Sequence, residues 1–508
     1  MAVKRYFASK DNTITNAFKA NLITRGTGSN MGASDILEAF VIHGQTSASI
    51  NADNAEQARI LIQFPVEDIV TDISNGTVPS SSVEYRLVMT NAPHADSTPI
   101  DYGLEVAMVS GASWIEGTGL DMEEYTDRGV CNWLSSSDGT VWPGLPRVDN
   151  DGSNEGASYF TGSAEGTISG TYHFSGGLED LNLDVTFAID KWRRSPSGAD
   201  NYGFLIKHTN DVISGSSGSF FTKRFFGRTS DYFLNRPYIE ARWDSSRKDN
   251  RPNAVRSSSL APASFNINDL YLYNTIRGQL QPIPNTTGSG QHILVSFYSG
   301  TNTSPSSPTG NKLHVINDAG STVLNVTGGR LVENDSDVTG VYSCSFASTT
   351  SFTTLHDVWH SGGVEYFTGS FQILAQSASA LIYDESYISD ITNLKNSYYQ
   401  GEKPRLRVFV RKKNWQPNIY TVATADVETD VIEDAYWRLY RVIDDREITP
   451  YGTSSYNFTK MSYDISGNYF ELDTTHLDPG YSYGIQFLYY INGVYKEQPD
   501  TFKFKLDE

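Results

Sequence analysis

Apolar and polar residues alternate at every second position in short runs along most of this chain. Ile60, Ile62 and Phe64 alternate with Arg59, Leu61 and Gln63, which predicts a strand with one firmly apolar face, ended by Pro65. Val83–Met89 and Tyr102–Val109 read as further strands. A stretch rich in Gly, Ser, Asp and Asn follows between about 115 and 170, with turn clusters at Ser135–Gly139 and Asp149–Ser153. Strands are predicted again at Leu183–Ile189, Tyr202–Lys207 and Tyr238–Trp243. Asp244–Pro252, charged and closed by proline, reads as a linker.

The same periodicity continues beyond it. Leu270–Asn274, Ile293–Tyr298 and Gly340–Phe346 predict strands separated by turn clusters such as Pro305–Gly310, a spacing that suggests an immunoglobulin-like or related sandwich. Leu406, Val408 and Val410 then alternate with Arg405, Arg407 and Arg411. Tyr483, Ile485, Phe487, Tyr489 and Ile491 form a longer run, and Asn492-Gly493 supplies a tight hairpin turn. Leu477-Asp478-Pro479-Gly480-Tyr481-Ser482-Tyr483 resembles the Leu-x-Pro-Gly-x-x-Tyr corner of fibronectin type III domains. That resemblance implies a Tyr483 hydroxyl bonded back to nearby backbone. The expectation is an all-β chain of tandem β-sandwiches over 1–250, 253–400 and 401–508.

An ordered series in the first block resembles a known family. Asn30-Met31-Gly32 with Leu37 and Glu38, Arg59–Phe64, Trp114-Ile115-Glu116-Gly117, Leu183–Thr186 with Trp192, Tyr202–Leu205 and Arg236–Ile239 are similar in order to the DNRLRE-type domain. That domain is a jelly-roll-like sandwich related to carbohydrate-binding modules. The resemblance implies structural roles for Arg59 and Phe64 on a core strand and for Trp114 at a turn. It covers about half the chain, and the 115–170 loops depart from it. Asp357-Val358-Trp359, Tyr366–Gly369 and the opening Tyr6–Ile14 resemble segments of structural proteins of tailed phages that infect marine bacteria. What this implies is a virion component of neck, collar, tail or capsid decoration. It would dock multivalently onto other virion proteins in a symmetric assembly.

Composition narrows the classes. Hydrophobic content of 38% and aromatic content of 12% suffice for packed cores. The abundance of Tyr (30) and Phe (25) against 6 Met fits pleated, half-buried surfaces. With 59 acidic and 39 basic residues the formal charge is −20, which disfavours general nucleic-acid binding and anionic membranes. Cys131 and Cys344 lie far apart, so no disulfide scaffold is expected and folding in a reducing cytosol is the default. The N-terminal Met-Ala-Val-Lys-Arg-Tyr-Phe lacks the apolar run of a signal peptide, and no run of eighteen apolar residues predicts a membrane span. The expected localisation is the virion, after synthesis in a host cytoplasm.

Candidate chemistry is sparse. Gly-x-Ser-x-Gly, His-Glu-x-x-His and a phosphate-cradling loop are all missing, so no enzyme and no cofactor is expected. Asp121, Glu123, Glu124 and Asp127 form an acidic cluster that reads as a solvated turn or short helix. His356 and His360 have the spacing of zinc ligands on a helix, but the segment reads as strand or loop. Asp149, Asp151, Ser153 and Glu155 present alternating oxygens and are weak calcium candidates, without the glycine and terminal glutamate of an EF-hand. Trp133, Trp142 and Tyr159, in or beside the loop region, are candidates for a glycan-stacking platform, the basis of an alternative role as a host-glycan adhesin. Trp114 and Trp192 read as core. Arg411-Lys412-Lys413 beside Trp415 reads as a hairpin tip on an acidic protein.

Overall fold

In the computed structural model the alternating runs pair into sheets, and the protein is mostly β. The structure describes residues 2–44, 55–95, 98–120, 130–143, 155–160, 171–194, 200–214, 219–284, 286, 293–300, 312–361, 364–376, 386–416, 419 and 429–508. The chain divides into two units, Val3–Arg242 and Trp243–Glu508, the second including Ala2.

The first unit contains two main antiparallel sheets, besides the short pair Ser135–Ser137 and Thr140–Val141. One has the order Val3–Phe7, Tyr238–Arg242, Glu84–Met89, Leu181–Asp184. The larger runs Phe220–Phe226, Ile36–Ile42, Glu56–Gln63, Phe204–His208, Tyr102–Met108, Thr171–Phe174, with Lys10–Thr15 also on Glu56–Gln63. Glu56–Gln63 is paired on both edges and buried on both faces. Leu61, the apolar residue that breaks the alternation, is the reason. It lies in register with Leu205, which pairs with Ala107, and these side chains form a second core with Trp114, Trp133 and Trp142.

Two nine-residue helices in this unit have no counterpart in the alternating pattern. Val66–Ser74 starts directly after Pro65 and buries Val66 and Ile69. Leu183–Ile189, expected as one strand, splits into the strand Leu181–Asp184 and the helix Thr186–Arg194. The Asp184 carboxylate accepts the Thr186 amide hydrogen at 2.9 Å, satisfying a donor that the first turn would leave free. From there Ala188, Ile189 and Trp192 share a face at helical spacing, and Trp192 packs on Phe204 with ring centroids 4.9 Å apart.

The second unit holds two further sets of sheets. In the first set Val326–Glu333 belongs to two layers. Its start pairs with Ile293–Tyr298 and its end with Ser336–Ala347, with a bulge between Arg330 and Val332 where the strand turns over. Asn268–Tyr273 adds to Ser336–Ala347, and Thr354–Ser361 and Val364–Gln372 extend the other layer. The layers meet through Phe297 stacked on Phe346 at 4.2 Å. The second set has the order Tyr387–Ile391, Arg405–Lys412, Gly467–Glu471, Ser462–Asp464. It faces Ser397–Tyr399, Phe502–Asp507, Ser482–Ile491, Ala435–Arg441 and Arg446–Thr449. Trp437 stacks on Phe470 at 5.0 Å, and Ser389 Oγ and Tyr489 Oη are hydrogen-bonded at 2.7 Å across the core.

The stretch expected as a linker is tightly bonded. The Arg247 amide donates to Ser462 Oγ at 2.9 Å, the Tyr463 amide to the Arg247 carbonyl at 3.0 Å, and the Asp249 amide to the Tyr463 carbonyl at 3.1 Å. The Arg247 guanidinium pairs with Glu333. On the other side Asn250 Oδ1 accepts the Asp269 amide at 2.9 Å. Charge and proline thus mark a segment that hydrogen-bonds to both sets of sheets within this unit.

Candidate functional site

The motif residues of the first unit converge on a buried polar knot. Asn30 Nδ2 donates to the Glu116 carbonyl at 2.6 Å and to the Cys131 carbonyl at 2.9 Å, while its Oδ1 accepts the amides of Gly32 and Gly119. A Cβ on Gly32 would lie 2.3 Å from the Glu116 carbonyl oxygen, and one on Gly119 only 1.8 Å from that of Asn30, so the two loops touch backbone to backbone. The Glu116 carboxylate accepts the Asp11 amide at 2.7 Å and holds the Arg228 guanidinium through both oxygens. Asp11 Oδ2 accepts the Arg228 amide at 2.6 Å, and burial pushes the Asp11 carboxyl up to about 7. Asn12 bridges from the Cys131 thiol to the Met31 amide. Asp11 and Asn12 lie inside the opening segment Tyr6–Ile14, whose pattern says nothing of this contact, and Arg228 carries no motif that a linear reading finds.

Beneath this knot lie the rings expected to face solvent, and here the structure corrects the sequence reading. Trp133 is 3%, Trp142 0% and Tyr159 5% exposed, in one cluster with Trp114, Cys131 and Leu205. The Trp142 Nε1 hydrogen goes to the Asn132 carbonyl at 2.9 Å and that of Trp114 to the Tyr202 carbonyl at 2.8 Å. A stacking platform needs open ring faces, and these faces are spent on covering the larger sheet. Arg59 crosses the cluster. It lies 4.8 Å from the Trp133 ring and donates to the Gly156 carbonyl at 2.9 Å, while Phe64 is buried near Phe204. Glu155 accepts from Trp133 Nε1 at 3.3 Å. The other calcium candidates, Asp149, Asp151 and Ser153, and the cluster Asp121, Glu123, Glu124 and Asp127 lie outside the described residues.

In the second unit His356 and His360 sit on one strand, Thr354–Ser361, where four residues span about 13 Å. His356 Nε2 is 2.9 Å from the Gly300 carbonyl and His360 Nε2 2.7 Å from Ser296 Oγ, so each ring has its own partner. Asp357, between them, is wholly buried. It accepts from Arg251 at 2.8 Å and from Trp359 Nε1 at 2.9 Å, and Arg251 also binds Asp249. Burial raises the Asp249 carboxyl to about 6. Tyr483 Oη donates to the Asp478 carbonyl at 2.7 Å and accepts the Asp478 amide at 2.8 Å, beside Pro479 and Gly480. Arg411 lies 5.7 Å from the Trp415 ring. Both cysteines are free and buried, and burial pushes the Cys131 thiol up to about 12.

Two surface features remain. An open cleft of about 540 Å3 in the first unit is lined by Asp101, Glu105, His173, Asn210 and Asp211 among others, with His173 and Asp101 paired at 2.9 Å. Among the described residues no group of His, Cys, Asp or Glu is arranged to hold a metal ion. In the second unit apolar side chains gather in the open. Leu260 is 82% and Phe265 70% exposed, with Phe352 and Leu374 also exposed. Arg256 bonds the Ser351 and Phe352 carbonyls, Gln376 bonds Phe265 and Asn266, Val255 pairs with Leu374, and Ser258 bonds both Asn266 and the Leu260 amide, so these residues share one neighbourhood.

No family model and no curated protein matches the sequence. Among solved structures, a chimeric titin Z1Z2 tandem aligns at 10% identity over 51% of this chain and 95% of its own, with a TM-score of 0.15. Murine CEACAM1b aligns at 9% identity over 42% and 85%, with a TM-score of 0.13. Domains FN1–FN3 of chicken CNTN1 align at 10% over 60% and 86%, with a TM-score of 0.15. At these values the likeness carries no functional meaning.

Proposed function

We propose that this protein is a structural component of a tailed-phage virion, in the neck, collar, tail or capsid decoration, acting by contact with neighbouring virion proteins. The observation that carries the contact role is the apolar neighbourhood of Leu260, Phe265, Phe352 and Leu374. Exposed apolar side chains clustered on a folded protein are the usual mark of a docking surface. The phage assignment rests on the resemblance of Tyr6–Ile14, Asp357–Trp359 and Tyr366–Gly369 to phage structural proteins. Stiff sandwiches suit such a role, because elements that are already ordered lose little entropy on assembly. Symmetric repetition then multiplies modest contacts. Neither nucleic acid nor membrane is a partner in this reading, and no cofactor or catalytic step is needed. The alternative, an adhesin reading host glycans through Trp133, Trp142 and Tyr159, loses its platform because those rings are buried.

The test is direct. Mass spectrometry of purified virions should detect the chain, and cryo-electron microscopy should locate it. Leu260→Asp with Phe265→Asp should lower its copy number in particles while leaving the purified protein folded. A chain missing from virions overturns the assignment, and full incorporation of the double variant overturns this docking surface.

A further inference from the structure

Lys223 is a buried ammonium with an unusual set of partners. It lies on the strand Phe220–Phe226 and is wholly inaccessible to solvent. Its Nζ donates to Asn91 Oδ1 at 2.7 Å, the Gly177 carbonyl at 2.9 Å and the Glu179 carbonyl at 2.7 Å. None of these acceptors is a carboxylate. The rings of Phe174 and Phe225 stand 4.5 and 5.3 Å from Nζ. A buried cation held only by neutral groups is costly. The other wholly buried lysine of this unit, Lys207, meets Asn210 at 2.9 Å but also has the Glu105 carboxylate at 3.1 Å, which favours its charged form.

We propose that Lys223 and Asn91 form an intramolecular isopeptide bond. The hydrogen bond to Oδ1 brings Nζ to within about 3–3.5 Å of Asn91 Cγ, the separation at which positioned groups react. Lys223 first gives up a proton, and the Nζ lone pair then attacks Cγ. Nζ sheds a second proton as the bond from Cγ to Nδ2 breaks, and that nitrogen takes up both protons and leaves as ammonium. An ammonium and a primary amide become a secondary amide and an ammonium ion, with no oxidant, cofactor or other reagent consumed. The product removes the buried charge, which supplies a driving force that a solvated pair lacks.

The surroundings support each step. Burial lowers Lys223 to about 8, although Glu179 and Asp180 act in the opposite sense, so about a tenth of the amine is neutral at pH 7. Asp180 Oδ1 accepts the Asn91 backbone amide at 2.7 Å, which fixes Asn91 and puts a carboxylate beside the reacting pair. Asn91 follows the strand Glu84–Met89 of the smaller sheet, whereas Lys223 belongs to the larger one. The bond would therefore join the two sheets and close a loop of 132 residues, which restricts the unfolded chain as a disulfide does.

Mass spectrometry of the purified full-length protein decides the matter. The expected intact mass is lower than the sequence mass by one ammonia, and a digest should yield a branched peptide joining the segments around Asn91 and Lys223. Asn91→Ala and Lys223→Arg should each restore the full mass. A wild-type protein at its full sequence mass overturns the proposal, whatever the variants do. So does an ammonia loss that maps to an asparagine succinimide without a branched peptide.

Discussion

Replacing Tyr483 by Phe isolates one hydroxyl at the corner Leu477–Tyr483. The ring is fully buried beside Phe504, with centroids 5.8 Å apart, and phenylalanine keeps that packing, so no cavity opens. What is lost are two hydrogen bonds, one donated to the Asp478 carbonyl at 2.7 Å and one accepted from the Asp478 amide at 2.8 Å. At about 1 kcal/mol each, the loss is about 2 kcal/mol. Asp478 is itself half-buried, so water can reach the freed groups and hold the cost near that figure. Hydrogen exchange read by mass spectrometry on peptides of Ser482–Ile491 reports this locally, which matters in a chain of several cores. Protection should fall about thirtyfold, the factor that corresponds to about 2 kcal/mol. Unchanged protection would refute the reasoning that the hydroxyl pins this corner.

Three further outcomes follow from the buried contacts. Gly119→Ala puts a Cβ on the Asn30 carbonyl oxygen and should destabilise the first unit by about 3 kcal/mol or more, seen as a lower urea midpoint; an unchanged midpoint would show that the loops are free to separate. Arg251→Met strands the buried Asp357 carboxylate and should cost the second unit about 3–5 kcal/mol, whereas Arg251→Met with Asp357→Leu should recover much of it in thermal melts. Asp11 titrates near 7 in the folded protein and near 4 when unfolded, so the native state holds the extra proton in between and stability falls as pH rises through that window. His208, lowered to about 4 by burial, works in the opposite sense, losing stability as pH falls from about 6.5 to 4. Subtracting the pH–stability profile of Asp11→Asn from that of wild type should leave the Asp11 contribution alone, a decline from pH 4 to 7, and parallel profiles would refute it.

The features legible in the chain were those set by neighbours a few residues apart. Leu406, Val408 and Val410 point to one side because a strand repeats every second residue, and all three are buried. The Tyr483 hydrogen bond reaches back only five residues. Both follow from local geometry, and so does the all-β character of the chain. Local pattern failed where a second layer lay on top of the first. A tryptophan in a loop reads the same whether its faces are open or covered, and Trp133 and Trp142 are covered because Leu61, Ala107 and Leu205 make the outer face of their sheet apolar. The polar knot was equally hidden, since Asp11 meets Glu116 across 105 residues and Arg228 across 217. Neighbouring residues alone were enough to set most of the strands and turns and the corner, whose energetics are settled within a few residues of backbone. Which rings are buried, which charges are held by neutral groups and that Lys223 meets Asn91 were set by the tertiary structure alone, because burial and pairing depend on what distant segments bring to the same place.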